Sequence, residues 1–402
     1  MNIVLFDFPD AVEALKPFSY TRPLSHIRLG IFTIAEKWQH HLQGHYSCLA
    51  ASHLAHKFPL TKADVNLCIN STICPDSVLV AQIEQLALNE KLMQGDTLIA
   101  CCCDATILEA LPINGFDYPG LRMLQFEGTI TQLQHPWDIF LHNDQALRSD
   151  FLQHSAGKIS ANIEDPHTIT YQKEDIFVEE GAKMQAAILN AQEGPIYIGK
   201  NVLIQPGAVI QGPVALCHHA RISPGATIHG ATTIGPYARV GGEVRNAVIF
   251  GYTNKSHEGF LGSSVLGEWC NIGAGTNVSN LRNNYGPVKV WSYPKFNFAP
   301  TALQFCGLLM GDHSKCAVNT AFNTGTVVGV SANVFKHEFS ERFIPSFTWG
   351  NKVQQATFQL DKAFTTAARM MERRNVALTE ADKEILTYVY HRSSIYRSQD
   401  RP

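Results

Sequence analysis

The chain has 402 residues, a net charge of −3 and 17% charged side chains. It is therefore long enough for two or three domains with separate cores, and it carries no basic footprint for nucleic acid or a membrane surface. No apolar run approaches bilayer-spanning length, and the first residues reach Asp7 without a basic segment, which argues against a secretory signal. Ten cysteines include no C-x-x-C pair, and Cys101, Cys102 and Cys103 stand together in a strand-like run. That is the pattern of reduced core thiols in a cytoplasmic protein.

Residues 2–8 are mostly apolar without alternation, as in a buried strand of a parallel sheet. A loop, P-F-S-Y-T-R-P-L-S-H-I-R-L-G over 17–30, leads into an amphipathic helix over 31–42. Strands are expected at 46–51, 65–70 and 97–103, a helix over 77–92, a strand with a turn over 121–133 and a Pro-started helix over 134–147. Alternating strands and helices predict an α/β sheet with right-handed crossovers, whose strand ends are where ligands bind. The composition turns to Gly, Ile, Val and short polar runs near 155, so the first domain is expected over 1–155.

From there the chain counts in sixes. Ile198, Ile204, Ile210, Leu216, Ile222, Ile228, Ile234 and Val240 are six apart, and four places after each stand Val202, Ala208, Val214, Ala220, Ala226, Thr232, Ala238 and Val244. Each hexapeptide supplies one short strand and one turn, three close a triangular coil, and only the next coil can cover the open edge. The count lapses near Asn246, resumes at Leu266, Ile272 and Val278, lapses again, and resumes at Met310, Cys316, Phe322, Val328 and Val334. This β-helix is expected over 156–352. Helical periodicity over 353–375 and a capped helix from Thr379 predict a C-terminal extension, 353–402, that caps or braces the last coil.

The lapse holds the chemistry. His257 sits in a polar, glycine-punctuated interruption, as a general base or as a hydrogen-bonded structural residue. Gly273, Ala274 and Gly275 would let a ligand approach backbone amides. Asn271 and Asn280 suit a sugar, or a stacked asparagine ladder in the case of Asn271, while Lys255, Arg282 and Lys289 could meet phosphates.

Three segments, H-E-G-F-L-G, V-L-G-E-W-C-N-I-G-A-G-T and S-N-L-R-N-N-Y-G, resemble the acetyltransferase half of the bifunctional family that makes UDP-N-acetylglucosamine. That family joins a glucosamine-1-phosphate acetyltransferase to an N-acetylglucosamine-1-phosphate uridylyltransferase, and the resemblance covers 190–350. It implies a left-handed parallel β-helix forming homotrimers with acetyl-CoA between subunits. His257 would be the general base, Asn271 would lie at the sugar, the Ala274 backbone at the acetyl group, Asn280 at the substrate and Arg245 at a phosphate. Phe260 replaces the motif's tyrosine, and M-G-D-H-S-K and I-P-S-F-T-W-G resemble a shortened bacterial variant.

The first half holds the place of that family's nucleotidyltransferase domain. The family's Gly-rich loop is replaced by S-Y-T-R-P-L-S-H-I-R-L-G, which keeps Thr21 and Arg22 but lacks the glycines. Asn70 stands where the family has its Mg²⁺-binding aspartate. Arg22 and Arg28 could bind phosphate or tie the loop to the sheet. The expected fold is thus an α/β nucleotidyltransferase-like domain, then a left-handed hexapeptide β-helix, then C-terminal helices. The expected activity is a transferase of sugar-nucleotide biosynthesis, working on sugar phosphates and nucleotides with acetyl-CoA and, in the first domain, Mg²⁺. The alternative is a non-catalytic, trimeric nucleotide-sugar-binding regulator or scaffold.

Overall fold

The computed structural model describes residues 1–111, 120–335, 339–350 and 356–397. Two compact units emerge: 1–15, 21–27 and 32–134 form the first, and 16–20, 28–31 and 135–402 form the second. The helix over Asn143–Ser155, placed by sequence in the first domain, lies in the second unit, as do the C-terminal helices. The expected 352/353 boundary falls outside the described residues.

In the first unit a six-stranded sheet is built around Asn2–Phe6, which pairs in parallel with His45–Leu49 on one side and Asn66–Asn70 on the other. Thr97–Cys103 then adds antiparallel to Asn66–Asn70, Glu90–Gln94 antiparallel to Thr97–Cys103, and Arg122–Gln125 parallel to Glu90–Gln94. The helix expected over 77–92 stops at Ile83, and its second half is a strand. Asn89 in the left-handed region (φ +66°) starts that strand, and the Gly95-Asp96 turn folds it back on its neighbour, so hairpin chemistry overrides the apolar spacing. Thr33 and Glu36 cap the helix Ile34–His41 reciprocally. All ten cysteines are buried and none forms a disulfide, in keeping with core thiols.

The second unit is a parallel β-solenoid. Its stack of parallel pairings runs from Ile169–Tyr171 to Phe343–Ile344, and the six-residue series points inward: Ile198, Ile204, Ile210, Leu216, Ile222, Ile228, Ile234 and Val240 are each fully buried. Each such side chain contributes about 1.5–3 kcal/mol through burial. One corner of successive coils takes left-handed residues with large rings: His219, Tyr237, Tyr252, Trp269 and His313, all with φ between +57° and +63°. Their rings stack in a column, with centroid separations of 4.6 Å, 5.0 Å, 4.1 Å and 6.3 Å in turn. A non-glycine residue in that conformation costs about 1–2 kcal/mol, which stacking at about 0.5–1.5 kcal/mol largely offsets.

The first lapse in the six-count comes from residues missing at corners. Five steps carry the chain from Ile222 to the next strand at Thr227, but only three from Val240 to Glu243, through Gly241 and Gly242. At the following corner two residues separate Thr227–His229 from Thr232–Ile234, whereas Asn246 and, one coil later, Ser263 turn the chain alone in the left-handed region. The second lapse is an insertion over 279–307 that carries the hairpin Lys289–Ser292 and Asn297–Pro300, while the coils either side pair directly through Asn277–Val278 and Ala321–Phe322. At the end, Ala356–Thr357 pairs antiparallel with Thr348–Trp349 and covers one exposed edge. The helices Leu360–Glu372 and Glu380–Arg392 follow, the latter with a Thr379–Asp382 capping box. Tyr390 packs on Phe347 and Arg397 donates to the Ser346 carbonyl at 2.7 Å, so the extension braces the last coil.

Candidate active site

His257 stands exposed on the corner between Asn254–Lys255 and Phe260–Leu266, and its imidazole makes no hydrogen bond to any described residue. One coil on, the same corner carries Gly273, Ala274 and Gly275, and the Gly275 amide donates to the Glu258 carbonyl at 3.2 Å. Successive coils are spaced about 4.8 Å apart, so the His257 and Ala274 positions lie within reach of one small ligand. The Ala274 amide is left open, while its carbonyl accepts from Asn319 at 2.7 Å. The corner before His257 is the shortened Gly241-Gly242 turn, which lies tight beneath it: a Cβ on Gly242 would stand 2.9 Å from the His257 carbonyl oxygen.

The glycines serve the stack rather than the ligand. A Cβ on Gly273 would lie 2.4 Å from the Ala317 carbonyl carbon, and one on Gly275 (φ +70°) would lie 2.2 Å from Asn319 Oδ1. The next coil requires both glycines, and of the three amides that of Gly275 is taken by the Glu258 carbonyl while that of Ala274 stays open.

Lys255 is corrected. It occupies the interior slot that Val240 fills one coil earlier, is 2% exposed, and its Nζ donates to the carbonyls of Gly241 (2.8 Å) and His257 (3.0 Å). Burial pushes its amine down to about 8. A lysine so enclosed cannot reach a phosphate in solvent; it ties the His257 corner to the corner below.

A cavity of roughly 380 Å³ lies where Asn246 and Ser263 shorten the corner, lined also by Arg245, Phe260, Asn280 and Phe305. Three predicted residues, Arg245, Phe260 and Asn280, meet there, and Asn280 Nδ2 lies 3.5 Å from Ser263 Oγ. The Phe260 ring lies across Gly262. Asn271 accepts at Oδ1 from Asn254 Nδ2 (2.9 Å), a two-rung asparagine ladder, and faces a separate groove. Arg282 donates to the Pro287 carbonyl (2.9 Å) and lines a third hollow with Arg342, and Lys289 is exposed on the hairpin, lining none of the three.

In the first unit, Asn70 is 1% exposed and fully engaged: its Nδ2 donates to Leu98, and its Oδ1 accepts from the Thr72 amide and hydroxyl at 3.1 Å and 2.8 Å. Arg28 belongs to the second unit, where its Nη1 donates to the Ile31 carbonyl and lies 3.9 Å from Cys217 Sγ. Thr21 is half-buried and Arg22 buried in the first unit. Sequence reasoning missed Asp7, at the carboxyl end of the first strand. Its carboxylate accepts from the Leu24 amide at 3.2 Å, and burial, opposed by Ser71 and Leu24, pushes its pKa up to about 7. His26 is pushed down to about 4, first by burial and then by Arg22. Asn70 does not fit a resident Mg²⁺: its amide oxygen is neutral and already accepts twice from Thr72.

Residues 3–159 match the family model for sugar nucleotidyl transferases, and 195–230 match that for bacterial transferase hexapeptides (six repeats). A Methanococcus maripaludis "Bifunctional protein GlmU" is 31% identical over 211 residues, 52% of this chain and 44% of its own. The "Bifunctional sugar-1-phosphate nucleotidylyltransferase/acetyltransferase" of Sulfurisphaera tokodaii is 26% identical over 221 residues, covering 54% and 47%. Over about half its length the chain is similar to these bifunctional transferases. The Methanocaldococcus jannaschii "Bifunctional protein GlmU" is 31% identical over 117 residues, 29% of this chain and 28% of that protein. The chain thus spans less than half the length of the curated relatives it matches. No helix among the described residues is long and apolar enough to cross a membrane.

Proposed function

We propose that the solenoid transfers an acetyl group from acetyl-CoA to the amine of an amino sugar 1-phosphate, glucosamine 1-phosphate being the expected acceptor. The observation that carries this is the pairing, on one corner, of the unengaged His257 imidazole with the open Ala274 amide. An ammonium has no lone pair, so His257 takes a proton from it and the freed amine attacks the thioester carbon. Negative charge on the carbonyl oxygen is received by the Ala274 amide, and collapse breaks the carbon–sulfur bond while the second proton of the attacking nitrogen passes to the departing sulfur, which leaves as the CoA thiol. Arg245, with Phe260 and Asn280, suits the sugar phosphate: Phe260 and Ser263 are three strand residues apart, about 10 Å, comparable to a hexose phosphate. Phe260 supplies a wall but no hydroxyl to that phosphate.

Flat coil faces suit a closed three-fold trimer, in which a neighbour would complete this exposed corner. The first unit takes the nucleotidyl-transfer role that its family match suggests, with Thr21 and Arg22 as its phosphate contacts, and the setting is cytoplasmic.

The test is thiol release from acetyl-CoA across a panel of sugar 1-phosphates. Turnover is expected only with an amino sugar phosphate, and His257→Ala should lower kcat by about 10²- to 10⁴-fold while the trimer persists. Wild-type turnover in a folded His257→Ala trimer would refute the mechanism, and a monomer by light scattering would refute the shared site.

A further inference from the structure

A second groove of roughly 390 Å³ lies within the same unit, between one solenoid face and the helix Leu360–Glu372. Its walls carry Arg239 and Lys315 from the coils and Arg369, Arg373 and Arg374 from the end of the helix, with no acidic residue among those lining it. Arg221 stands one coil before Arg239 in register. Among the described residues none of these five arginines has a carboxylate within 4 Å.

The helix dipole accounts for arginines in the last turn, each favoured there by about 0.3–1 kcal/mol. It does not account for Arg221 and Arg239, which approach that same end from the facing sheet. Burial and the neighbouring Arg221 and Arg373 hold the Arg239 pKa below its ordinary value, and burial followed by Arg239, Arg373 and Arg221 does the same to Arg374. Both side chains are half-buried, so their repulsion is only partly screened. Unpaired charge held this closely is costly unless an anion completes it. Lys315 stands beside them, its Nζ donating to the His313 carbonyl at 2.7 Å and its pKa pushed down by burial to about 8.

Planar guanidinium groups on two opposed walls match an anion with oxygens on two sides, as adjacent phosphates have. Asn254, Asn271 and Thr366 offer neutral hydrogen-bonding groups, and Tyr252, Trp269 and Met370 an apolar rim, which suits a nucleoside attached to the phosphates. We propose that this groove binds the diphosphate of a nucleotide. Two sources have that chemistry, CoA and a nucleotide sugar. Asn271 is three residues from Ala274, so a thiol-bearing arm leaving the groove could enter the His257 corner. The site itself does not depend on the acetyltransfer reading.

Calorimetry on the full chain with inorganic pyrophosphate, inorganic phosphate, UDP and CoA tests this. Pyrophosphate should bind more tightly than phosphate and weaken as salt rises. Arg373→Gln/Arg374→Gln should lose at least about tenfold in affinity, with an unchanged melting temperature and oligomeric state. The single, half-buried Arg239→Gln provides a second variant should the double one fail to fold. Tighter binding of CoA than of UDP assigns the groove to the acyl donor, and the reverse assigns it to a nucleotide sugar. Absence of pyrophosphate, UDP and CoA binding, or equal affinities in folded wild type and variants, overturns the proposal. Failure of acetyltransfer would instead abolish thiol release while leaving pyrophosphate binding intact.

Discussion

At the scale of single residues, Lys255 separates stability from function. Its folded pKa, about 8, lies below the ordinary 10.5, so the charged form is penalised by burial. That penalty is absent above the unfolded value and grows as pH falls through the interval between the two. Lys255→Met keeps the stem's volume and removes the buried charge. Near pH 7 the variant should melt at the same temperature as wild type or higher, by scanning calorimetry. Turnover should nevertheless fall about tenfold, because the His257 carbonyl loses its tether and the corner is no longer held. A matching loss in both quantities would make Lys255 merely structural. Gly273 gives the opposite outcome: Gly273→Ala forces a methyl against the Ala317 carbonyl, and overpacking should destabilise the solenoid by about 1–3 kcal/mol in denaturant titration.

At the scale of elements, the end of the first strand predicts a pH window. Asp7 titrates at about 7 in the fold against 3.8 outside it, so its contribution is complete at low pH and is lost as pH rises through 7. His26 runs the other way, at about 4 against 6.5, so its contribution is present above 6.5 and is lost as pH falls toward 4. The two slopes oppose each other between about pH 4 and 6.5. Asp7→Asn should therefore unmask the histidine: stability of the first unit should fall visibly below pH 6.5 and lose its decline near pH 7, measured by urea midpoints across pH. A profile identical to wild type would show that Asp7 does not titrate as argued.

The same elements show what the sequence made legible. The repeat was readable because an interior slot admits only aliphatic or small side chains, so every coil writes the same period. Lys255 was not, since nothing in a lysine's identity shows that it occupies such a slot; only the registry Val240↔Lys255 does. The short corners appeared in sequence merely as lapses in a count, although the one at Asn246 and Ser263 lines the Arg245 cavity. Asp7 was hidden because a single acid after an apolar strand looks like any strand end, and the arginine groove because Arg239 and Arg373 are distant in the chain and met only by folding.

For the second unit as a whole, the closing strand Ala356–Thr357 matters more than its length suggests. Deleting 356–402 would leave the outer edge of Thr348–Trp349 open on an otherwise ordered solenoid, a template for edge-to-edge association. The truncated protein should form concentration-dependent larger species by sedimentation, whereas full-length protein should not.

The stacked rings at the left-handed corner also make the solenoid legible to light. Tyr237, Tyr252 and Trp269 lie nearly coplanar-parallel in consecutive coils, at interplanar angles of 2° and 10°. Chromophores so aligned couple their transitions, and each coupling exists only while two particular coils remain in register. Near-ultraviolet circular dichroism of this chain should therefore act as a gauge of coil separation at its centre. Loss of that signal ahead of the far-ultraviolet strand signal would locate the first seam to open between Gly235 and Asp312, the stretch that holds the histidine corner.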